Sequence, residues 1–232
     1  MKKLNSKKFN SILFFCKRNC KYSSKVKKFL KKKSKKVVCI YSKKVNEKIN
    51  IKKIIKYKYD YVFCFRSYFI LKESIIKKLK TTIINFHPGL PKYRGRGSVN
   101  FALLNKEKYF GSTAHIINSE KIDNGPIIDL KKFCIKNQDN IENILKKTYV
   151  LMTNQAIWLI SYLLKNKSHS ILMRKNHFLK WSKKLFRTSD LEKLYKLKLG
   201  LNKLKFKRII RSTYTRNFKP YIIYHGKKFI MN

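Results

Sequence analysis

The stretch YVFCFRSYFILKESIIKKLKTTIIN, residues 61–85, carries the pattern that decides the fold. Its apolar ends, Tyr61–Phe65 and Thr82–Asn85, have the length and composition of buried strands, and Lys72–Leu79 between them has the spacing of a helix. A strand, a helix and a second strand in this order form a right-handed unit whose two strands are parallel. The stretch therefore predicts a sheet covered by helices.

The same alternation continues on both sides of this stretch, with short apolar runs separated by helical segments. Short apolar strands between helices are typical of a parallel sheet that is buried on both faces. We therefore expect an α/β fold with a doubly wound, mostly parallel sheet. The further predicted strands are Ser11–Cys16, Val37–Tyr41, Ser112–Ile117 and Ile127–Leu130, and the further predicted helices are Ser23–Lys32, Ile49–Lys56, Ser98–Leu104 and Ile141–Leu164.

The chain is predicted to divide near Lys165, after the long amphipathic helix. Residues 1–165 are the predicted main domain, and residues 166–232 are a linker followed by a small C-terminal α+β subdomain. The segment 166–187 is polar with scattered aromatic residues, which favours linker and loop. Beyond it we expect a helix at Ser189–Leu197 and strands at Lys207–Thr213 and Tyr221–Met231, the last turning at His225-Gly226.

The formal net charge of +47 comes from 58 basic and only 11 acidic residues. Such a charge attracts phosphates, so a nucleic-acid partner is one interpretation. The lysines are spread over the whole length, however, and the abundance of Lys, Asn, Ile, Tyr and Phe is typical of A/T-rich codons. Mutational drift is therefore the preferred explanation, although the charge alone does not decide between the two.

Several classes of protein are disfavoured by what the sequence lacks. No run of about 18 apolar residues occurs, so we expect no membrane-spanning helix. The basic start, Met1–Leu4, is not followed by a secretory apolar segment, and we expect a cytoplasmic protein. The five cysteines lack zinc-site spacing, so no metal is expected, and neither a dinucleotide-binding glycine motif nor a nucleoside triphosphate loop is present.

The loop after the predicted fourth strand, residues 86–97, holds most of the loop chemistry of the chain. Asn85 and His87 are two residues apart at the end of that strand, so both side chains point to one side of the sheet. An amide donor and an imidazole directed at one point can stabilise an oxyanion during acyl transfer. Asp123 lies in an Asp-Asn-Gly-Pro turn after the neighbouring strand, from which it could support the imidazole.

Each of these residues also has an ordinary structural explanation. A single histidine at a strand end is more often structural, Asn85 can cap a turn, and Asp123 can stabilise its own turn. His115, on a predicted buried strand, is a secondary candidate, for which a hydrogen-bonded core histidine is the preferred interpretation. Spacing alone leaves these alternatives open.

Three ordered motifs resemble one known family. They are INFHPGLPKYRG at residues 84–95, GSTAH at 111–115 and DNGPI at 123–127. Together they resemble the formyltransferases that use 10-formyltetrahydrofolate, which include methionyl-tRNA formyltransferase, glycinamide ribonucleotide formyltransferase and the sugar N-formyltransferases. The likeness extends to residues 60–67 and to the tail segments 208–214 and 226–229, so it covers most of the chain.

The resemblance implies transfer of a formyl group to an amine, with Asn85, His87 and Asp123 as the catalytic residues. Asn85 and His87 would stabilise the oxyanion, and Asp123 would support His87 and help to remove the proton of the amine, directly or through water. The implied cofactor-binding residues, for the co-substrate 10-formyltetrahydrofolate, are Arg66, Ser67, Tyr68, Phe69, Ile70, Asn118 and Ile122. The implied substrate-binding residues are Tyr93, Arg94 and Arg96.

Two stretches depart from the family pattern. The loop HPGLP at residues 87–91 is one residue shorter than the common HPSLLP, and residues 113–123 are one residue longer than in typical members. We therefore expect the approach to the site to be reshaped.

The acceptor amine is the least determined feature. The charge favours tRNA, but only 67 residues remain after Lys165, fewer than the C-terminal barrel of the tRNA enzymes needs. We expect a small amine, such as an amino sugar linked to a nucleotide. Methionyl-tRNA is the alternative acceptor, and a non-catalytic RNA-binding protein on the same fold is the second alternative. The remaining partner expectations are a homodimer and no membrane.

Overall fold

A computed structural model describes residues 8–44, 47 and 49–231, so the N-terminal Met1–Leu4 lies outside the described residues. Ten strands and eight helices follow one another within the described part of the chain. The strands are β1 (Phe9–Lys17), β2 (Ser34–Ser42), β3 (Tyr61–Phe65), β4 (Ile83–His87), β5 (Arg94–Gly95), β6 (Tyr109–Ile116), β7 (Ile127–Cys134), β8 (Leu185–Phe186), β9 (Tyr221–Tyr224) and β10 (Lys227–Ile230). The helices are α1 (Lys21–Lys33), α2 (Ile51–Ile55), α3 (Glu73–Leu79), α4 (Ser98–Leu104), α5 (Ile141–Asn166), α6 (Ser170–Lys175), α7 (Thr188–Tyr195) and α8 (Lys203–Thr213).

The central sheet has six strands in the order β2-β1-β3-β4-β6-β7. The first four are parallel to one another, whereas β6 runs antiparallel to β4 and β7 antiparallel to β6. The predicted α/β class with a mostly parallel sheet is thus confirmed. The antiparallel strands β6 and β7 are joined by the turn that contains Asp123.

The sheet is buried between two helical layers, as its near-continuous apolar strands require. Alternate residues of β1 and β4 face α1 and α5 on one side, and the residues between them face α2 and α3 on the other. In β4, Ile84 and Phe86 face α1 and α5, whereas Ile83 faces α2 and α3. Asn85 and His87 share the side of Ile83, because side chains alternate along a strand. Full burial of one large apolar side chain stabilises the fold by about 1.5–3 kcal/mol.

The C-terminal region differs from the prediction in two places. Lys207–Thr213, predicted as a strand from its β-branched residues, lies instead in α8. The Asn202 side chain caps that helix by accepting from the backbone N–H of Lys205, and the helix packs on α4, where the Asn100 amide donates to the Ser212 carbonyl at 2.7 Å. Tertiary packing and a helix cap therefore outweigh the strand propensity of this short segment.

The segment predicted as linker and loop contains α6 and the short strand β8. Strand β8 pairs in parallel with β5, and the Phe186 ring stacks on Phe101 with ring centroids 4.1 Å apart. The segment is therefore packed on the main body of the protein. The hairpin of β9 and β10 agrees with the prediction, including its turn at His225 and Gly226, which both have positive φ. The domain boundary near Lys165 stays a prediction.

In the described part of the chain, no helix combines the length and apolar character needed to cross a lipid bilayer. The expectation of a cytoplasmic location stays a prediction.

Candidate active site

The candidate site lies where β4 ends. Asn85 and His87 are directly opposite His115 and Thr113 of the antiparallel strand β6. Residues directly opposite each other on paired strands share one face, so the sheet itself brings both histidines and the amide together. They border a cavity of about 760 Å³, with Asp123 reaching it from the turn between β6 and β7.

His87 is buried and bonded at both ring nitrogens. Its Nδ1 lies 3.1 Å from Asp123 Oδ2, and its Nε2 lies 3.0 Å from the carbonyl oxygen of Tyr93. Both partners can only accept a hydrogen bond, so both contacts are satisfied together only when the ring carries two protons and a positive charge. Burial by itself lowers the pKa of His87, but the charge and hydrogen bond of Asp123 outweigh it and raise the pKa above 6.5.

Asp123 is the matching anion. Besides its contact with His87, Oδ2 accepts from the backbone N–H of Gly95 at 2.9 Å, and Oδ1 lies 3.4 Å from His115 Nε2. Burial raises the pKa of this carboxyl, but the His87 charge and the histidine hydrogen bonds hold it well below the usual range. The left-handed backbone of Asp123, with φ of +43°, is offset by these side-chain bonds. The pair is therefore ionised at neutral pH.

His115 and Asn85 form a second contact in the same wall. Asn85 Nδ2 lies 3.0 Å from His115 Nε2, and His115 Nδ1 lies 3.1 Å from the Ile116 carbonyl oxygen. Nε2 of His115 thus lies between the Asn85 amide and Asp123 Oδ1, and Nδ1 faces the Ile116 carbonyl. His115 is thus buried and hydrogen-bonded, as its preferred interpretation required, and it also borders the cavity.

The short loop after His87 approaches the imidazole closely. A Cβ at Gly89 would lie 2.6 Å from His87 Nε2 and 2.9 Å from Ser98 Cβ, so no larger residue fits without displacing them. The loop is held by Thr113 Oγ1, which donates to the Gly89 carbonyl at 2.7 Å, and by Ser98 Oγ, which donates to the Pro88 carbonyl at 2.9 Å. The loop thus places the Gly89 backbone against His87.

Most of the predicted cofactor-binding residues border the cavity. Arg66 has its guanidinium 3.7 Å from the centre of the Tyr149 ring, and Nη1 donates to Cys20 Sγ at 3.1 Å, so its position is fixed by packing. Asn118 is the exception, since it is not among the residues that line the cavity. The predicted residues that do line it are Arg66, Ser67, Tyr68, Phe69, Ile70 and Ile122.

The predicted substrate-binding residues are separated by the structure. Tyr93 is 1% exposed, and its hydroxyl donates to Glu107 at 2.6 Å, away from the cavity. Arg94 donates to the backbone carbonyls of Ser182 and Ile122 at 3.0 and 2.8 Å. Both side chains therefore have structural contacts, because the loop turns them towards the protein, and their predicted substrate role stays a prediction. Arg96 lines the cavity, together with Arg187, which the sequence analysis missed.

Trp181 is the second residue that the sequence analysis missed. Its indole ring stands nearly perpendicular to both imidazoles, with ring centroids 4.9 Å from His115 and 5.6 Å from His87. It lies in a polar segment without a recognisable motif. The one signal available was its rarity, since the chain has only two tryptophans.

No group of three or more histidine, cysteine or acidic side chains is arranged to hold a metal ion within residues 8–44, 47 and 49–231.

Comparison with known proteins identifies the family of the chain. A sequence profile of the family described as formyl transferase matches residues 14–159. The chain belongs to this family. The matched residues include Asn85, His87, His115 and Asp123, and they end before Trp181 and Arg187.

Individual relatives resemble this chain either over a part of its sequence or in their three-dimensional fold. Methionyl-tRNA formyltransferase of Thermodesulfovibrio yellowstonii is 41% identical over 83 residues, which are 35% of this chain and 27% of that protein. The alignment thus spans about a quarter of the relative. A sugar N-formyltransferase structure from a Shewanella species has a TM-score of 0.71 at 21% identity and covers 96% of each chain.

A third relative was solved with ligands. The N-formyltransferase of Helicobacter canadensis, in complex with folinic acid and dTDP-3-aminofucose, has a TM-score of 0.65 at 19% identity, and the match covers 94% of this chain and 84% of that chain. At these identities the likeness to both structures establishes the formyl transferase fold. It extends past residue 165 into the C-terminal region.

Proposed function

We propose that this protein transfers a formyl group from 10-formyltetrahydrofolate to a primary amine. The observation that carries the proposal is the buried His87–Asp123 ion pair, which borders a cavity together with the Asn85 amide. A fixed positive charge and an amide donor at one wall are what a reaction with a developing oxyanion requires.

The cavity fits the folate co-substrate in size and chemistry. Its volume of about 760 Å³ lies within the range of small-molecule sites, and Tyr68 and Phe69 supply aromatic surface for a flat ring. Lys17 and Lys121 also line it and would attract the carboxylates of the glutamate tail. The bound folate supplies the activated formyl carbon.

Asn85 and His87 have different roles in this proposal. Both nitrogens of His87 are engaged with Asp123 and the Tyr93 carbonyl, so the imidazolium acts mainly through its charge. Asn85 is the direct hydrogen-bond donor to the formyl oxygen, with its amide oriented by His115. A buried charge is effective here because little water screens it.

Asp123 keeps His87 charged and assists the movement of one proton. As the bond from the amine nitrogen to the formyl carbon forms and the bond from that carbon to N10 breaks, one proton must pass from the amine nitrogen to N10. Asp123 lines the cavity beside His87, and in this proposal it relays that proton, directly or through a bound water.

The proposed acceptor is an amino sugar linked to a nucleotide. Arg96 and Arg187 line the cavity and provide two cations for the phosphates of such a substrate. The Helicobacter canadensis relative, solved with dTDP-3-aminofucose, supports this acceptor class. Methionyl-tRNA is the second candidate, favoured by the net charge of +47 and by the relative of 41% identity.

A panel of amines tests the function and the acceptor together. The protein is incubated with 10-formyltetrahydrofolate and either dTDP-linked amino sugars or methionyl-tRNA, and release of tetrahydrofolate is followed. Release with an amino sugar supports the proposal, and release with methionyl-tRNA alone replaces the acceptor. No release with any amine, together with tight RNA binding, favours the non-catalytic alternative.

We also propose that the protein forms a homodimer through the β9–β10 hairpin. Large apolar side chains are exposed there, with Ile223 42%, Tyr224 51%, Phe229 50% and Ile230 56% accessible. Apolar side chains are thus exposed on both faces of the hairpin, and a second copy of the chain could cover them. Sedimentation of the wild type and of Phe229→Ser tests it, and a monomeric wild type contradicts it.

A further inference from the structure

We propose that Trp181 is a positioning residue for the formyl transfer, holding the rings of His87 and His115 in their working orientation. The inference rests on the proposed function for its chemistry and on the contacts of Trp181 for its geometry. It assigns a role in the site to the region beyond residues 14–159, which the family profile does not match.

The first observation is that Trp181 completes the enclosure of His87. Asp123 holds one ring nitrogen, the Tyr93 carbonyl holds the other, and the Gly89 backbone lies against Nε2. The indole stands against the imidazole at 76° between the ring planes. A ring held at both nitrogens and packed by an aromatic neighbour has little freedom to rotate.

The second observation is that one indole contacts both histidines. The planes of Trp181 and His115 meet at 80°, so an edge of one ring faces the other in each pair. Trp181 is not among the residues that line the cavity. It can therefore act on the reaction through the histidines, without touching folate or amine.

The third observation is that Trp181 is itself fixed to the loops that carry the site. Its Nε1–H donates to the Gly125 carbonyl at 2.7 Å, and the N–H of Ser182 donates to the Pro91 carbonyl at 3.0 Å. Arg94 then joins the Ser182 carbonyl to the Ile122 carbonyl. The segment thus ties the loop after β4 to the turn that carries Asp123.

These contacts bear directly on the proposed chemistry. The bulky indole keeps water from the buried ion pair, so the charge of the imidazolium is little screened. Without the indole, water enters and both imidazoles gain rotational freedom. The transfer step slows, whereas folate binding, which depends on other residues, is retained.

The kinetic test compares variants of the two tryptophans in the full chain. Trp181→Ala is expected to lower kcat about 100-fold, with the KM for 10-formyltetrahydrofolate changed by less than about 3-fold, because small displacements in a site cost rates of this order. Trp181→Phe restores the ring contact without the N–H and is expected to keep kcat within about 5-fold of the wild type. Trp158→Ala is the matched control, since that ring packs on Tyr162 and Lys131, and it leaves both constants unchanged.

Two kinetic outcomes overturn the proposal. One is a folded Trp181→Ala protein with the kcat of the wild type, and the other is a Trp181→Phe protein as impaired as Trp181→Ala. Circular dichroism separates these outcomes from loss of folding.

A fluorescence test does not depend on catalysis or on the stability of the alanine variant. In Trp158→Phe, Trp181 is the single indole, and a protonated imidazole in contact with an indole quenches its emission. We expect the emission to rise with pH at a midpoint above 6.5, and the additional change His87→Asn to remove this rise. A Trp181 emission that does not change with pH would contradict the contact between Trp181 and a protonated His87. If the contact is found but no amine accepts a formyl group, the proposed function fails separately.

Discussion

Residues 14–159 and residues 166–231 build the same site by different means. The first region supplies Asn85, His87, His115 and Asp123 from strand ends and one turn, and the proposed chemistry depends on these side chains. The second supplies Trp181 and Arg187, and it is fixed largely through hydrogen bonds to backbone carbonyls. Side-chain chemistry leaves a motif in the sequence, whereas attachment through the backbone leaves almost none.

Four changes test this contrast between the two regions. Removal of Asn85, the proposed direct hydrogen-bond donor to the formyl oxygen, is expected to have the largest effect on kcat. Asn85→Ala should lower kcat about 100–1,000-fold, the loss typical of one oxyanion donor. The affinity for tetrahydrofolate, measured by calorimetry, should remain within about 3-fold because the aromatic wall is intact. A variant with nearly full kcat would transfer the donor role to another residue.

The loop after β4, which belongs to the first region, can be tested through Gly89. Gly89→Ala places a methyl group 2.6 Å from His87 Nε2 and should lower kcat about 10–100-fold by displacing the ring. Gly200→Ala is the control for the added methyl group, because a Cβ there meets no atom within 4 Å and its φ of +74° strains only a turn outside the site. Equal steady-state rates for both variants would show that the loop yields without disturbing His87.

The second region should affect binding of the acceptor more than its turnover. Arg187→Ala is expected to raise the KM for a nucleotide-linked amine about 10-fold, the value of one charge-assisted contact, with kcat nearly unchanged. Lys183→Ala, an exposed neighbour, serves as the control. An unchanged KM for Arg187→Ala would remove Arg187 from the acceptor site.

The smallest effect concerns stability and follows from the raised pKa of His87. A group whose pKa is raised on folding stabilises the protein fully below its unfolded pKa of 6.5, and this contribution is lost as the pH rises through the folded pKa. Asp123, with a lowered pKa, contributes above its unfolded value of 3.8 and loses its effect only in strong acid. The Tm of the wild type should therefore fall as the pH rises from about 6.5 through the raised pKa of His87, and that of His87→Gln should fall less. An equal decrease in both proteins would contradict the ion pair.

The sequence was sufficient for the sheet and for the placement of Asn85, His87 and Asp123 side by side, whereas their catalytic roles stay predictions. The alternation of apolar runs and helices predicts β1 to β4 because those strands are buried on both faces, and the two-residue spacing of Asn85 and His87 predicts their common side. Asp123 was identified because acidic residues are rare in this chain. Its hydrogen bond to His87 agrees with the expected support of the imidazole.

The features that the sequence did not predict depend on contacts between residues that are far apart in the sequence. Lys207–Thr213 has the β-branched residues of a strand but becomes helical through the Asn202 cap and packing on α4. Tyr93 and Arg94 have residue types suited to phosphate binding, yet the loop directs them to Glu107 and to two carbonyls. Trp181 reaches Gly125 across 56 residues, a distance that no local pattern spans.

The central claim is that the His87–Asp123 pair provides the charge for formyl transfer, and Asp123→Asn tests it most directly. This change keeps the shape of the side chain and removes the anion that holds His87 protonated. Release of tetrahydrofolate from 10-formyltetrahydrofolate in the presence of the accepted amine is measured for both proteins at equal folded concentration. The account predicts turnover by the wild type and a loss of at least about 100-fold in the variant. Equal rates in the two proteins would contradict it.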